Sequence, residues 1–248
     1  MGVAGAGVTI GSGLACGISA LEGRATWLAQ VSSSRRKTAM RLLVLGASGG
    51  VGTILLEQGV ARGHHITAQT RNPAKLVETA GISVIAGSPT DEAFLKQHVA
   101  GQDAVILAIG IDSTGKTTLF SESTRAVIAA MQAARVKRLV AITGIGAGET
   151  KGHGGWLYNR VIFPLFTRNR YADKDQQEAL IERSGLDWTI VRPAPFTAQA
   201  GRGPWHVVTN IPEWLQLRSI TRAEVARFIL DCIEGGSYVR QKPFIGHS

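Results

Sequence analysis

From residue 40 onward, short apolar runs alternate with stretches whose apolar positions recur at helical spacing. The strand-like runs are residues 41–45, 65–70, 82–86, 104–108, 138–143 and 188–192. The helix-like stretches between them are 50–61, 73–79, 92–99, 118–134 and 172–184. In the fourth of these, Phe120, Val127, Met131 and Ala134 fall on one face. Such alternation predicts βαβ units, and so an α/β fold with a parallel sheet and right-handed crossovers. Ligands then collect beyond the carboxyl ends of the strands.

Local signals refine the boundaries. Asn72-Pro73 reads as a turn followed by a helix-start proline. Thr90, with Asp91 and Glu92 behind it, reads as a capped helix start with acids in the first turn. Ser184-Gly185 closes a helix just before the next strand. The least regular stretches, 144–156 and 193–218, are expected to be loops over the ligand face.

Composition narrows the class. Hydrophobic residues make up 44% and charged residues 18%, a balance suited to a water-exposed α/β domain with buried strands. At 248 residues a single domain is expected. The net charge is +9, yet no dense Lys/Arg stripe interleaved with aromatics appears. A polyanionic cofactor therefore explains the charge better than nucleic acid does. Cys16 and Cys232 build neither a disulfide framework nor a metal motif. Cys232 reads as a small apolar residue on a C-terminal helix. No apolar run of about 20 residues marks a membrane span.

Residues 1–39 read differently. They are rich in Gly, Ala and Ser and carry Arg24, Arg35, Arg36 and Lys37 against the single acid Glu22. The segment is expected to be a disordered extension or an organelle presequence, with the domain covering 40–248. A cytoplasmic protein is expected unless that presequence is functional.

The chemistry starts at Gly46-Ala47-Ser48-Gly49-Gly50-Val51-Gly52, which follows the first strand and opens a helix. Glycines let backbone N–H groups approach a diphosphate, and the helix end adds unpaired donors and positive dipole. At the end of the second strand, an acid would hold the 2′-hydroxyl of NAD. Here stands Thr70-Arg71-Asn72, with Lys75 one turn on. Arginine can pair with a 2′-phosphate, so NADP(H) is expected over NAD(H).

Gly110–Thr117 also fits G-x-x-x-x-G-K-T, with Lys116 and Thr117 in the phosphate and metal positions. It follows the fourth strand rather than the first. The next strand runs into Thr143-Gly144 instead of a metal-binding acid, so the match reads as a coincidence. His153, within Gly152–Gly155, reads as a solvated loop histidine before it reads as a proton donor.

Tyr171-Ala172-Asp173-Lys174 offers a Tyr–Lys pair, with Tyr as acid and Lys lowering its pKa and holding a ribose. A short-chain dehydrogenase spaces the two one helical turn apart, as Tyr-x-x-x-Lys. In this chain the position four before Lys174 is Arg170. Lys174 is read either as a cofactor contact or as a surface partner of Glu178 at i,i+4. Twelve of the fifteen aromatics lie after residue 150, which suits either a pocket for a flat substrate or the cover of a small C-terminal lobe.

Together these residues resemble the atypical short-chain dehydrogenase/reductase superfamily, in the branch of NmrA-like NAD(P)H-binding proteins. The likeness is greatest to the biliverdin-IXβ reductase/flavin reductase type. It is carried by 46–52, 70–76, 136–142, 171–174, 184–193 and 220–226. The resemblance implies a Rossmann-like, doubly wound parallel sheet with a small C-terminal substrate lobe. It implies diphosphate contacts from Gly46, Ser48, Gly49, Gly50, Val51 and Gly52, and a 2′-phosphate contact from Arg71. Ala108, Ile109, Gly110, Thr143 and Gly144 would flank the ribose and nicotinamide, and Lys174 and Tyr171 would be the catalytic candidates.

It further implies hydride transfer to a flavin, quinone or tetrapyrrole, with protons from solvent. The partner is then a small conjugated molecule, without nucleic acid or membrane, and the protein a monomer or weak homo-oligomer. Two other readings remain open at this stage: a regulator that senses NADP(H) without turnover, and epimerase- or dehydratase-like chemistry on a nucleotide-linked substrate.

Overall fold

The apolar runs become the strands of one sheet. The computed structural model describes residues 38–111, 117–144, 168–199, 204–210 and 217–248, and for 168–171 the backbone alone. Residues 1–37, Lys116 and His153 lie outside the described residues.

In chain order the elements are β1 (Arg41–Leu45), α1 (Gly52–Ala61), β2 (His65–Thr70), β3 (Ile82–Ala86), α2 (Glu92–Val99), β4 (Ala104–Leu107), α3 (Leu119–Ala134) and β5 (Arg138–Ile142). Then follow α4 (Arg168–Glu182), β6 (Asp187–Pro193), β7 (Phe196–Thr197), β8 (His206–Val208), β9 (Ile220–Thr221), α5 (Arg222–Gly235) and β10 (Phe244–Gly246). Eight strands form a sheet in the order β3-β2-β1-β4-β5-β6-β10-β8, with β8 alone antiparallel to its neighbour. The strand order reverses between β1 and β4, which run parallel, and this is the switch point at which such sheets bind ligands. β7 and β9 make a separate parallel pair.

Burial follows the two-residue period of each strand. Leu42 and Val44 of β1 join the core shared with Leu55 and Leu56 of α1 and Val225 and Ile229 of α5. Leu43 and Leu45 join the opposite core, with Leu95 of α2, Met131 of α3 and Ile181 of α4. Both faces of the sheet are covered, which is why its strands read as apolar runs rather than alternations.

Two local expectations need correction. Residues 73–79 do not make a helix beyond the single 3₁₀ turn Pro73–Lys75. Leu76 is already extended, Val77 is 77% exposed, and Thr79 bridges to Ile82. A stretch this short gains helix only by burying a face, and this one packs only Leu76, partly buried, against the core. The cap of α2 is Asp91, not Thr90: its carboxylate accepts from the Phe94 N–H at 3.1 Å. The hydroxyl of Thr90 is paired with that of Ser88 at 2.8 Å.

Candidate functional site

The glycine turn sits where β1 meets β4. Gly46 has φ +80°, and a Cβ there would lie 2.8 Å from the Ala108 carbonyl oxygen and 2.9 Å from the Ile109 nitrogen. A Cβ on Gly52 would run into the carbonyl oxygens of Gly46 and Ala47. Gly46 supplies the left-handed conformation, and Gly52 lets the helix pack onto its own turn.

Buried Gln69 fixes the turn from β2. Its Oε1 accepts from the Gly46 N–H at 3.0 Å, and its Nε2 donates to the Gly87 carbonyl at 2.7 Å. The Ala47 N–H donates to the Gln69 carbonyl at 3.0 Å. Gln69 was missed in the sequence. The available signal was a primary amide in a strand that is otherwise buried.

The start of α1 carries no cap. Val51 makes no side-chain cap bond, and the first turn holds no acid. Among the described residues, the N–H groups of Ser48, Gly50, Val51 and Gly52 have no acceptor. Other helix starts are satisfied: α2 by Asp91, and α5 by the Thr221/Glu224 capping box. At α3 the buried Asp173 of α4 accepts from the Phe120 and Ser121 N–H groups at 2.9 and 3.1 Å. Open donors beside a helix N-terminus form a cradle for an anion, so the residues present fit a dinucleotide diphosphate.

At the edge of that cradle, Thr70 Oγ1 donates to Ser48 Oγ at 2.9 Å. The Asn72 N–H donates back to Thr70 Oγ1 at 3.1 Å. This turn presents Arg71 as an exposed side chain just past β2. Ala108 and Ile109 abut Gly46, and among the described residues nothing stands within 4 Å of a Cβ built on Gly110.

Lys174 departs from the surface reading. It is 9% exposed, and its Nζ donates to the carbonyls of Thr143 and Ile142 at 3.0 and 3.4 Å. It also lies 4.4 Å from the centroid of the Phe120 ring. Glu178 faces inward, accepting from Thr143 Oγ1 at 2.7 Å and from Arg192. Helical spacing put Lys174 and Glu178 on one face, but that face packs on the ends of β5 and β6 rather than on water. Tyr171 belongs to α4; its side chain lies outside the described residues, and Gly144 closes the described stretch after β5.

The aromatics divide. Trp188, Phe228 and Phe244 are core residues, and Trp205 packs edge-on to Phe228 with ring centroids 5.7 Å apart. Phe196, just past β6, is 41% exposed. Trp156, Tyr158, Phe163, Phe166 and Trp214 lie outside the described residues. Among the described residues, no group of His, Cys, Asp and Glu is placed to hold a metal ion. No described helix is long and apolar enough to cross a membrane.

A 3-2-1-4-5-6 parallel order with a glycine cradle at its switch point defines a Rossmann-like dinucleotide-binding protein. The chain belongs to the NAD(P)H-binding family, whose model matches residues 46–235. That match agrees with the NmrA-like resemblance carried by the motifs.

The chain is similar to a Bacillus subtilis protein named an uncharacterized sugar epimerase, YhfK, at 27% identity over 206 residues, covering 79% of this chain and 88% of the relative. Among solved structures it is similar to a short-chain dehydrogenase/reductase from Veillonella parvula in complex with NADP, with a TM-score of 0.68, 18% identity, and coverage of 84% of this chain and 94% of that one. It is similar also to a Streptococcus pneumoniae protein provisionally named an NADH-flavin reductase, with a TM-score of 0.69, 24% identity, and coverage of 85% and 100%. These two likenesses show the fold.

Proposed function

We propose that the protein is an NADPH-dependent reductase that passes hydride to a flat conjugated acceptor of the flavin, quinone or tetrapyrrole type. The observation that carries the reading is the open glycine cradle with Arg71, in place of an acid, at the end of β2. The N–H groups of Ser48, Gly50, Val51 and Gly52 hold the diphosphate. Arg71 pairs with the 2′-phosphate, which an acid at that position would repel.

Ala108, Ile109 and Gly110 border the ribose on the β4 side, and Thr143 and Gly144 border the nicotinamide on the β5 side. Lys174, anchored on the Thr143 carbonyl, stiffens that border and contributes positive charge beside the ribose. When bound, the cofactor supplies the hydride. The chain's own part is to orient the nicotinamide and the acceptor and to exclude water. Conjugated acceptors of this kind take their proton from solvent, so Arg170 four positions before Lys174 is no obstacle.

That same Arg170 favours a second reading, a regulator that binds NADP(H) without turnover. NADPH oxidation is followed with flavin mononucleotide, biliverdin and quinones, beside direct titration of NADPH and NADH. The reductase reading expects turnover with at least one acceptor and tighter binding of NADPH than of NADH. Arg71→Asp should reverse that preference. Tight NADPH binding with no turnover on any acceptor selects the regulator, and a preference for NADH in the unaltered protein overturns the assignment of Arg71.

A further inference from the structure

We infer that Arg222 is a second cationic contact for the cofactor diphosphate, closing over the glycine turn from the C-terminal lobe. The inference rests on the reading that this turn binds NADP(H). Arg222 is the first residue of α5, and a Cβ built on Gly50 would fall 2.8 Å from its Nε and 3.0 Å from its Cδ. Its stem therefore lies directly against the turn, in space that the missing side chain of Gly50 leaves open. The N–H groups of Gly50, Val51 and Gly52, which have no acceptor among the described residues, stand at the same place.

The guanidinium is held there. It stacks on Phe196, 4.9 Å from the ring centroid. β7 and β9 pair Phe196 with Ile220 and Thr197 with Thr221, so one short ladder delivers both the ring and the arginine that follows it. A ring this exposed finds a use as a platform for a cation.

The charge itself asks for an anion. A cation in the first turn of a helix is opposed by the helix dipole. The acid of that turn, Glu224, is occupied by Thr221 and by His247 at 2.9 Å. Among the described residues, Arg222 has no carboxylate within ion-pair distance. A diphosphate lying between Arg222 and the uncapped start of α1 meets the guanidinium and the open N–H groups at once, and a guanidinium suits phosphate oxygens by shape as well as by charge.

The test titrates NADPH into the full chain by fluorescence, beside thermal unfolding of the free protein. The variants are Arg222→Met, Arg222→Lys, Phe196→Leu and the double variant of Phe196→Leu with Arg222→Met. Loss of one charge-assisted contact weakens binding about tenfold or more. We expect that loss for R222M, a smaller one for R222K, and an unliganded Tm close to that of the unaltered protein in both. F196L should weaken binding a few-fold, and the double variant should bind no more weakly than R222M.

R222M binding within twofold of the unaltered protein overturns the inference, as does an equal loss in R222K, which leaves the positive charge without effect. A fall in the unliganded Tm that accompanies the loss overturns it too, as a folding effect. Additive losses overturn the holding role of Phe196. An unaltered protein that binds no NADPH removes the dinucleotide reading itself, a failure visible before any variant is made.

Discussion

Arg192 of β6 donates twice to the carboxylate of Glu178 on α4, through Nε at 3.2 Å and Nη2 at 2.5 Å, and both side chains are buried. Glu178 Oε1 also takes the Thr143 hydroxyl, so one carboxylate ties together the ends of β5 and β6 beneath the candidate nicotinamide site. Removing one member of such a pair strands a buried charge, at a cost of about 3–5 kcal/mol. Glu178→Ala should lower unfolding stability in urea by that order. Combining it with Arg192→Met should cost less than the sum of the two single losses. Strict additivity would show that the pair is not coupled.

Gly46 and Gly63 separate backbone strain from crowding. Gly46 has φ +80° and Gly63 φ +83°, but among the described residues a Cβ on Gly63 meets nothing within 4 Å, whereas one on Gly46 meets Ala108 and Ile109. Gly63→Ala should cost only the left-handed conformation, about 1 kcal/mol. Gly46→Ala should cost distinctly more and also weaken NADPH binding, because the turn must move. Equal denaturation midpoints for the two variants would count against the close approach of β4.

Cys232 is shielded. Burial pushes its thiol up to about 12, with Arg138 opposing the shift and Asp231 adding to it. At pH 8 a thiol of that pKa is thiolate in about one molecule in ten thousand. Peptide-resolved mass spectrometry should find Cys232 unalkylated by iodoacetamide in native protein and fully modified in urea. Rapid native labelling would contradict its burial.

Glu224 links the C-terminal lobe to pH. Burial alone would raise its carboxyl, but hydrogen bonds from the Thr221 N–H, the His247 ring and the Thr221 hydroxyl together hold it below the ordinary 4.5. A depressed carboxylate stabilises the fold above its unfolded pKa and loses that contribution as pH falls through the folded value. Glu224→Gln should therefore be less stable than the unaltered protein at pH 6, with the gap narrowing below about pH 4. A gap that stays constant down to pH 3 would remove Glu224 from the acid response.

Much of the fold was legible in the chain. The strands at 41–45, 65–70 and 82–86 and the helix at 92–99 appear with the boundaries that periodicity predicts. Periodicity records burial residue by residue, and a sheet covered on both faces leaves continuous apolar runs. The glycine turn was legible too, because a strand, a left-handed turn and a helix start are neighbours in sequence. β7, β8, β9 and β10 were not, since two or three residues carry no period.

What the sequence by itself determined was the α/β class, the cradle at 46–52 and the identity of Arg71 at the end of β2. Only the tertiary structure decided which way the polar face of α4 points. It turned Lys174 and Glu178 from a surface pair into the buried support of β5 and β6, and made Asp173 the cap of α3. It likewise brought Arg222 against Gly50, far along the chain from it. Local pattern encodes whether a residue is buried. Which distant residue it meets depends on the order in which the crossovers stack the strands, and no window of sequence contains that order.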